Sequence, residues 1–190
     1  MKRAVFLDRD GVINEANGFV TDIGDVRIIK KVPAAIKILN KRFYVIVITN
    51  QPQVARGLCS EDNVKKINSH IVSELKKRGA KIDAVFYCPH HPEKHSDTPN
   101  YAKKYRINCR CRKPKIGMIL QAKNKFSLDL KKCYFVGDTT VDIKAGKNAG
   151  CKTILLRTGY AGNDKKYKIN PDFVCDNLME AARIIIDDCK

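Results

Sequence analysis

Asp8 and Asp10 stand one residue apart at the end of the apolar run Val5-Phe6-Leu7, and Gly11 follows directly. A buried strand that ends in such a turn delivers its exit residues to the carboxyl edge of a sheet, where open α/β folds bind their ligands. Glycine there permits a sharp backbone. Two carboxylates so close, with no obvious ion-pair partner, suit a divalent cation and acid–base chemistry. Taken alone, the same residues equally describe a strand-ending turn with solvated aspartates.

Later segments supply complementary groups. Tyr44-Val45-Ile46-Val47-Ile48-Thr49-Asn50 is a second apolar, β-branched run, and it ends in a hydroxyl and an amide. Arg112-Lys113-Pro114-Lys115 sets cations just before an apolar-periodic stretch, and Tyr134-Phe135-Val136-Gly137-Asp138 is a third short run ending in Gly-Asp. Asp142 follows close behind, either to orient a metal shell or to cap a helix.

The elements that must position these groups alternate. Strands are predicted at Ala4–Leu7, Tyr44–Thr49, Ala84–Tyr87, Cys133–Val136, Thr153–Leu156 and Phe173–Val174. Helices are predicted at Pro33–Lys41, Glu61–Arg78, Ile116–Lys125, Val141–Asn148 and Leu178–Asp188. Ile36 and Leu39, then Ile67, Ile71, Val72 and Leu75, recur at helical spacing and mark faces turned to a sheet. Ser60 before Glu61 and Asp62 reads as an N-cap. Gly146 and Gly150 read as helix-end and turn residues. The pattern implies an α/β fold with a doubly wound, mostly parallel sheet, in one domain over residues 1–190. Between Asp10 and Thr49 there is room for a loop and one helix, not for an inserted cap domain, so the site is expected to be open. Its roof would come partly from the loop of about residues 88–112 and partly from residues near Asn17 to Asp22, with the polar Gly159–Lys168 stretch near its mouth.

The irregular stretch of about residues 88–112 needs a reason of its own, because long loops in compact domains are uncommon. Cys88-Pro89-His90-His91 opens it and Cys109-Arg110-Cys111 closes it. A tetrahedral Zn²⁺ held by Cys88, His90, Cys109 and Cys111 would fix the loop, with His91 or His95 as alternatives to His90. Four protein ligands leave no open position, so the role of such a site is structural. Cys59, Cys133, Cys151, Cys175 and Cys189 lie in or beside apolar patterns and read as small buried hydrophobes. His70 reads as a surface or packing residue of its helix.

In this order the motifs resemble the haloacid dehalogenase superfamily, and within it the heptose-bisphosphate and histidinol phosphatase branch. The resemblance runs through most of the chain, in Phe6-Leu7-Asp8-Arg9-Asp10-Gly11-Val12-Ile13-Asn14, Thr49-Asn50-Gln51, Ala55-Arg56-Gly57, Cys88-Pro89-His90-His91-Pro92, Cys109-Arg110-Cys111-Arg112-Lys113-Pro114 and Gly137-Asp138. It implies a capless Rossmann-like fold, Mg²⁺-dependent hydrolysis of a phosphorylated sugar such as D-glycero-D-manno-heptose 1,7-bisphosphate, and a structural Zn²⁺. By resemblance, Asp8 is the nucleophile and Asp10 the acid–base group, while Thr49 and Lys113 hold the phosphoryl group. The Asp8 and Asp138 carboxylates and the Asp10 carbonyl bind Mg²⁺, and Asn50, Gln51, Arg56 and Arg112 face the substrate. The chain departs from the family at Pro52 and Gln53, where relatives often carry Ser-Gly, and at Thr139, where many carry lysine. Proline removes a backbone donor, and Thr139 removes one phosphate-directed charge.

Composition bounds the remaining choices. Thirty-seven basic against twenty acidic residues give +17, a balance that solvated surface lysines or a nucleic-acid partner would each explain. A polynucleotide 3′-phosphatase is therefore an alternative, as is histidinol-phosphate hydrolysis. Tyr101-Ala102-Lys103-Lys104-Tyr105-Arg106 interleaves rings and cations as single-strand binders do. No apolar run approaches the ~20 residues that span a bilayer, and Met1-Lys2-Arg3 precedes too short an apolar run for a signal peptide. A cytoplasmic monomer without membrane contact is the expectation, and nucleic acid is the less favoured partner beside a small sugar phosphate.

Overall fold

The computed structural model describes residues 2–16, 18–93 and 99–188. Strands β1 (Ala4–Leu7), β2 (Tyr44–Asn50), β3 (Ala84–Cys88), β4 (Tyr134–Gly137), β5 (Lys152–Leu156) and β6 (Phe173–Cys175) form one sheet in the order β3-β2-β1-β4-β5-β6. Every neighbouring pair is parallel, so the sheet is wholly rather than mostly parallel. Short β-branched and aromatic runs suit such strands because both faces are covered. Leu7 lies opposite Val47 on one side and Val136 on the other. That register brings the residues after β1, β2 and β4 to one edge, at the point where strand order reverses and a crevice opens.

Helices α1 (Val32–Leu39), α2 (Glu61–Lys77), α3 (Asn100–Lys103), α4 (Gly117–Phe126), α5 (Thr140–Ala149) and α6 (Leu178–Asp187) complete the fold with two short 3-10 turns. Alternate residues of β1 face opposite layers, as the strand period requires. Val5 and Leu7 pack with Ile36, Leu39, Ile67, Ile71, Leu75 and Ile185 of α1, α2 and α6. Ala4 and Phe6 pack with Met118, Ile119, Ala122 and Ala145 of α4 and α5. Ser60 caps α2 by accepting from Asn63 N, as expected. The described residues of 11–43 hold only a 3-10 turn and α1, too little for a cap domain.

Gly146 does not end its helix. It lies inside α5, where a Cβ would sit 2.6 Å from Thr153 Cγ2 and 2.8 Å from Phe135 Cβ, so glycine lets α5 approach the sheet closely. Gly150 is the left-handed cap that the sequence implies. Helix α3 and the 3-10 turn at Ile23–Asp25 are too short to leave a periodic signal. Cys59, Cys133, Cys151 and Cys175 are buried and His70 is half-buried, whereas Cys189 lies outside the described residues. No helix among the described residues is long and apolar enough to cross a membrane.

Candidate active site

Three carboxylates and one ammonium meet at the crevice. Lys113 Nζ forms ion pairs with Asp8 Oδ1 (2.9 Å) and Asp142 Oδ1 (2.6 Å) and donates a hydrogen bond to the Ile48 carbonyl (2.9 Å). Lys113 and Asp142 are almost wholly buried. Burial alone would lower the Lys113 pKa, but Asp142 and Asp8 outweigh it and raise it. Burial pushes the Asp8 carboxyl up to about 6, against the pull of Lys113. Asp138 goes further, to about 8, through burial and then through Asp142 and Asp8. Ligand atoms of Asp8, Asp138 and Asp142 lie within 4.8 Å of one another. One ammonium cannot balance three ionised carboxylates in a buried site.

Asp138 shows where the missing charge belongs. Its Oδ2 accepts from Tyr160 N (2.8 Å), while its buried Oδ1 has no hydrogen-bond partner. An orphaned carboxylate oxygen beside two further carboxylates fits a hard divalent cation that takes oxygen ligands. Gly11 and Gly159 keep the space around it. A Cβ would lie 2.3 Å from Asp138 Oδ2 at Gly11 and 2.1 Å at Gly159, and both glycines have positive φ. Asp142 fills the capping role that the sequence left open, and it also meets Lys113. Its Oδ2 accepts from Thr139 N and Oγ1 in a capping box at the start of α5, and its Oδ1 meets Lys113. Thr139 is thus a helix cap.

The expectation that Asp10 lacks an ion-pair partner is wrong. Arg9, the residue between the two aspartates, turns inward and is 1 % exposed. Its Nη2 lies 2.9 Å from both Asp10 oxygens, its Nε lies 3.1 Å from Oδ1, and its Nη1 donates to Asn68 Oδ1 of α2. Asn14 Nδ2 (2.8 Å) and Gln51 Nε2 (2.9 Å) also donate to Asp10. Gln51 Nε2 reaches Thr49 Oγ1 as well (2.9 Å), and its Oε1 accepts from Gln53. Gln51 is fully buried, and its amide is spent in locking Asp10 to Thr49 and accepting from Gln53, so it is not free to contact a substrate. The chain alternates faces after β2, so Asn50 and Gln51 part company. Asn50 lines the cavity, but its amide is engaged with the backbone N–H and carbonyl of Lys113.

The cavity over these groups measures about 580 Å³ and includes Asp8, Asp10, Asn50, Arg112, Lys113 and Asp138 in its walls. Gly18 and Phe19 supply part of the expected roof, whereas Asn17 lies outside the described residues. The Gly159–Lys168 stretch does reach the mouth. Thr158 Oγ1 donates to the Gly11 carbonyl (2.6 Å) and Asp164 accepts from Thr140 N (2.7 Å), which brings Tyr160, Lys166 and Tyr167 to the wall. Arg56 is not part of the wall. Its guanidinium stacks over Phe19 at 5.0 Å and approaches Glu93 at 3.8 Å, one layer behind.

Cys88 ends β3, and Cys109 and Cys111 return beside it. The sulfur–sulfur distances are 3.5, 3.2 and 3.2 Å, and His90 Nδ1 lies 3.6 Å from Cys88 Sγ and 3.4 Å from Cys111 Sγ. A tetrahedron with metal–sulfur bonds of ~2.3 Å has edges of ~3.7 Å, so the four ligand atoms fit one ion. Arg112 N points at Cys109 Sγ (3.3 Å), an outer-shell donor to the thiolate. His91 faces the catalytic cavity instead, with burial and the Arg112, Arg56 and Lys166 charges lowering it to about 4. His95 lies outside the described residues. Because Arg112 and Lys113 follow Cys111 directly, this cluster also fixes the cations of the active site.

A family model described as HAD-hydrolase-like matches residues 110–181. The D-glycero-beta-D-manno-heptose-1,7-bisphosphate 7-phosphatase of Haemophilus influenzae is 36% identical over 187 residues, 97% of each chain. The alpha-heptose 7-phosphatase of Photorhabdus laumondii is 38% identical over 185 residues, 96% of each chain. The crystal structure of D,D-heptose 1,7-bisphosphate phosphatase from B. bronchiseptica, complexed with magnesium and phosphate, superposes with a TM-score of 0.83 at 30% identity over 99% of both chains. Similarity over the whole length, together with the buried carboxylate and lysine cluster, makes this chain a hydrolase of the haloacid dehalogenase superfamily and a member of its heptose-bisphosphate phosphatase branch.

Proposed function

We propose that the protein hydrolyses the C7 phosphate of D-glycero-D-manno-heptose 1,7-bisphosphate with Mg²⁺, through an aspartyl-phosphate on Asp8. The observation that carries this reading is the Lys113 ammonium bound to both Asp8 and Asp142 beside the unpartnered oxygen of Asp138. Mg²⁺, held by Asp8, Asp138 and the Asp10 carbonyl with Asp142 behind them, would offset the repulsion between carboxylate and phosphate. Asp8 attacks phosphorus and the bond to the sugar oxygen breaks. Asp10 gives that oxygen its proton, then takes one from the water that cleaves the acyl phosphate. Thr49 Oγ1 accepts from Gln51, so its own proton remains to hold a phosphoryl oxygen. Lys113 supplies fixed positive charge as the equatorial oxygens develop charge.

Arg112, on the cavity wall, suits the rest of a phosphorylated sugar, and Gln51 serves by holding Asp10 and Thr49. Cys88, His90, Cys109 and Cys111 are assigned to a structural Zn²⁺ that fixes Arg112 and Lys113. The related enzymes carry names of both anomers at similar identity, so the anomer is left to experiment. Phosphate release with Mg²⁺ should favour heptose 1,7-bisphosphate over histidinol phosphate and a 3′-phosphorylated oligonucleotide by ~100-fold in kcat/KM, about 2.7 kcal/mol of differential transition-state binding. A preference for either competitor would replace this substrate assignment.

A further inference from the structure

The positive charge of this chain is not gathered at the catalytic cavity. Its walls carry Asp8, Asp10, Asp138, Asp142 and Glu93 against Arg112, Lys113, Lys115 and Lys166, five acids to four bases. A second cleft, of about 570 Å³, opens at the amino ends of the strands, on the opposite edge of the sheet. Its charged lining is Lys2, Arg3, Lys41, Arg42, Lys81 and Lys132 against Asp83 alone, a net of five positive charges. Asp83 is already committed to Lys81 (2.6 Å) and to the Val45 N–H (2.9 Å).

This cleft is braced. Asn40 exchanges two hydrogen bonds with the Lys81 backbone, both 2.9 Å, and so ties together the two loops that flank it. Arg3 stacks over Phe43 at 4.6 Å and Lys2 lies over Tyr44 at 5.3 Å, so two cations are held by rings rather than by acids. Lys2, Lys41 and Arg42 make no ion pair with a carboxylate among the described residues. The basic surface also runs past the cleft. Lys37 packs beside Gly79, 3.6 Å from where a Cβ would be, next to the Lys76-Lys77-Arg78 end of α2, where Glu74 pairs with Lys77 and Arg78.

We infer that this cleft is a docking site for the phosphate backbone of single-stranded nucleic acid, separate from the catalytic cavity. Charge complementarity sets the ligand class, since unpaired cations in a braced groove match closely spaced phosphates. Extension of the positive surface beyond the cleft favours a polymer over a small anion. The cleft lies at the far end of the sheet from Asp8, so a strand held there is a tether or regulator and not a substrate.

The test is fluorescence polarisation with a labelled ~12-nucleotide single-stranded RNA, long enough for one site of this kind, across a salt series. The variant Lys2→Glu/Lys41→Glu/Arg42→Glu is compared with Lys103→Glu/Lys104→Glu/Lys168→Glu, which changes net charge equally elsewhere. The cleft variant should lose at least about tenfold in affinity and about two units of salt slope, the effect of three lost phosphate contacts. The control should stay within about threefold of wild type. Undiminished phosphate release by the cleft variant shows that it is folded, and thiouridine cross-linking of the wild-type protein should map to peptides containing Arg42 or Lys81. Absence of binding at low salt, equal loss in both variants, or displacement of the strand by inorganic triphosphate at equal concentration would each overturn the inference.

Discussion

Asp138→Asn should make the Mg²⁺-free protein more stable while abolishing its activity. In the folded chain burial, with Asp142 and Asp8 beside it, pushes Asp138 to about 8, against an ordinary value of 3.8. Between those values the folded protein holds a proton that the unfolded chain has released. Stability therefore falls as pH rises through this window, by ~1.4 kcal/mol per pH unit. Asp8, raised to about 6, adds the same sign at lower pH. His90 and His91, lowered by burial, act with the opposite sign below their ordinary value of 6.5, so the clean interval starts there. From about pH 6.5 to pH 8 the wild type should lose ~2 kcal/mol. Asparagine has the same shape and no proton to lose, so the variant should be flat over the interval and more stable at its upper end. Urea unfolding in Mg²⁺-free, chelator-free buffer, which leaves any bound zinc in place, measures this directly. Added Mg²⁺ at ~100 times its Kd should restore ~2.7 kcal/mol to the wild type and nothing to the variant. Equal pH slopes for the two proteins, or equal Mg²⁺ responses, would refute the assignment of Asp138 as the uncompensated buried charge.

Three further changes probe the rest of the site. Lys113→Met removes the cation shared by Asp8 and Asp142. It should cost about 10²–10³ in kcat/KM and about 3–5 kcal/mol of Mg²⁺-free stability, read by steady-state kinetics and urea unfolding, and wild-type turnover would exclude a role at phosphorus. Arg9→Met leaves Asp10 with only Asn14 and Gln51 as partners. Steady-state kinetics should then show kcat reduced more than KM is raised, whereas a change confined to KM would mean that Arg9 serves binding. Cys111→Ser should lower zinc below one equivalent by elemental analysis and reduce kcat/KM with it, since Arg112 and Lys113 follow directly. A folded wild-type protein that contains no zinc would remove the proposed structural site.

Much of this was legible in the chain because it rests on local physics. The β-branched runs, the Ser60 cap and the helical spacing of Ile67, Ile71 and Leu75 specify strands and helices within a residue or two of where they lie. The alternation of those elements specifies a parallel sheet, and strand ends at Asp8, Thr49 and Asp138 specify one edge of it. Cys88, His90, Cys109 and Cys111 could be paired on paper because their spacing requires the loop to close, and the ligand atoms do converge.

What the sequence could not supply is the direction in which each side chain turns once the backbone is fixed. Nothing in the sequence marks Arg9, between two acids, as an inward residue, yet it points inward to Asn68, a buried acceptor from a helix far along the chain. Gln51 beside Asn50 reads as a second substrate contact, and the strand period sends it to the opposite face, where it joins Asp10 to Thr49. Lys113 was expected to be a point charge for phosphate, but only the fold shows it already holding three partners. The distribution of the +17 net charge is likewise invisible in the sequence. Residues as distant as Lys2, Arg42, Lys81 and Lys132 become neighbours only because each precedes a strand of the same parallel sheet. Periodicity and chain order thus fixed the elements and the edge where chemistry gathers, while long-range packing decided which charges pair, which stay unpaired and where they point.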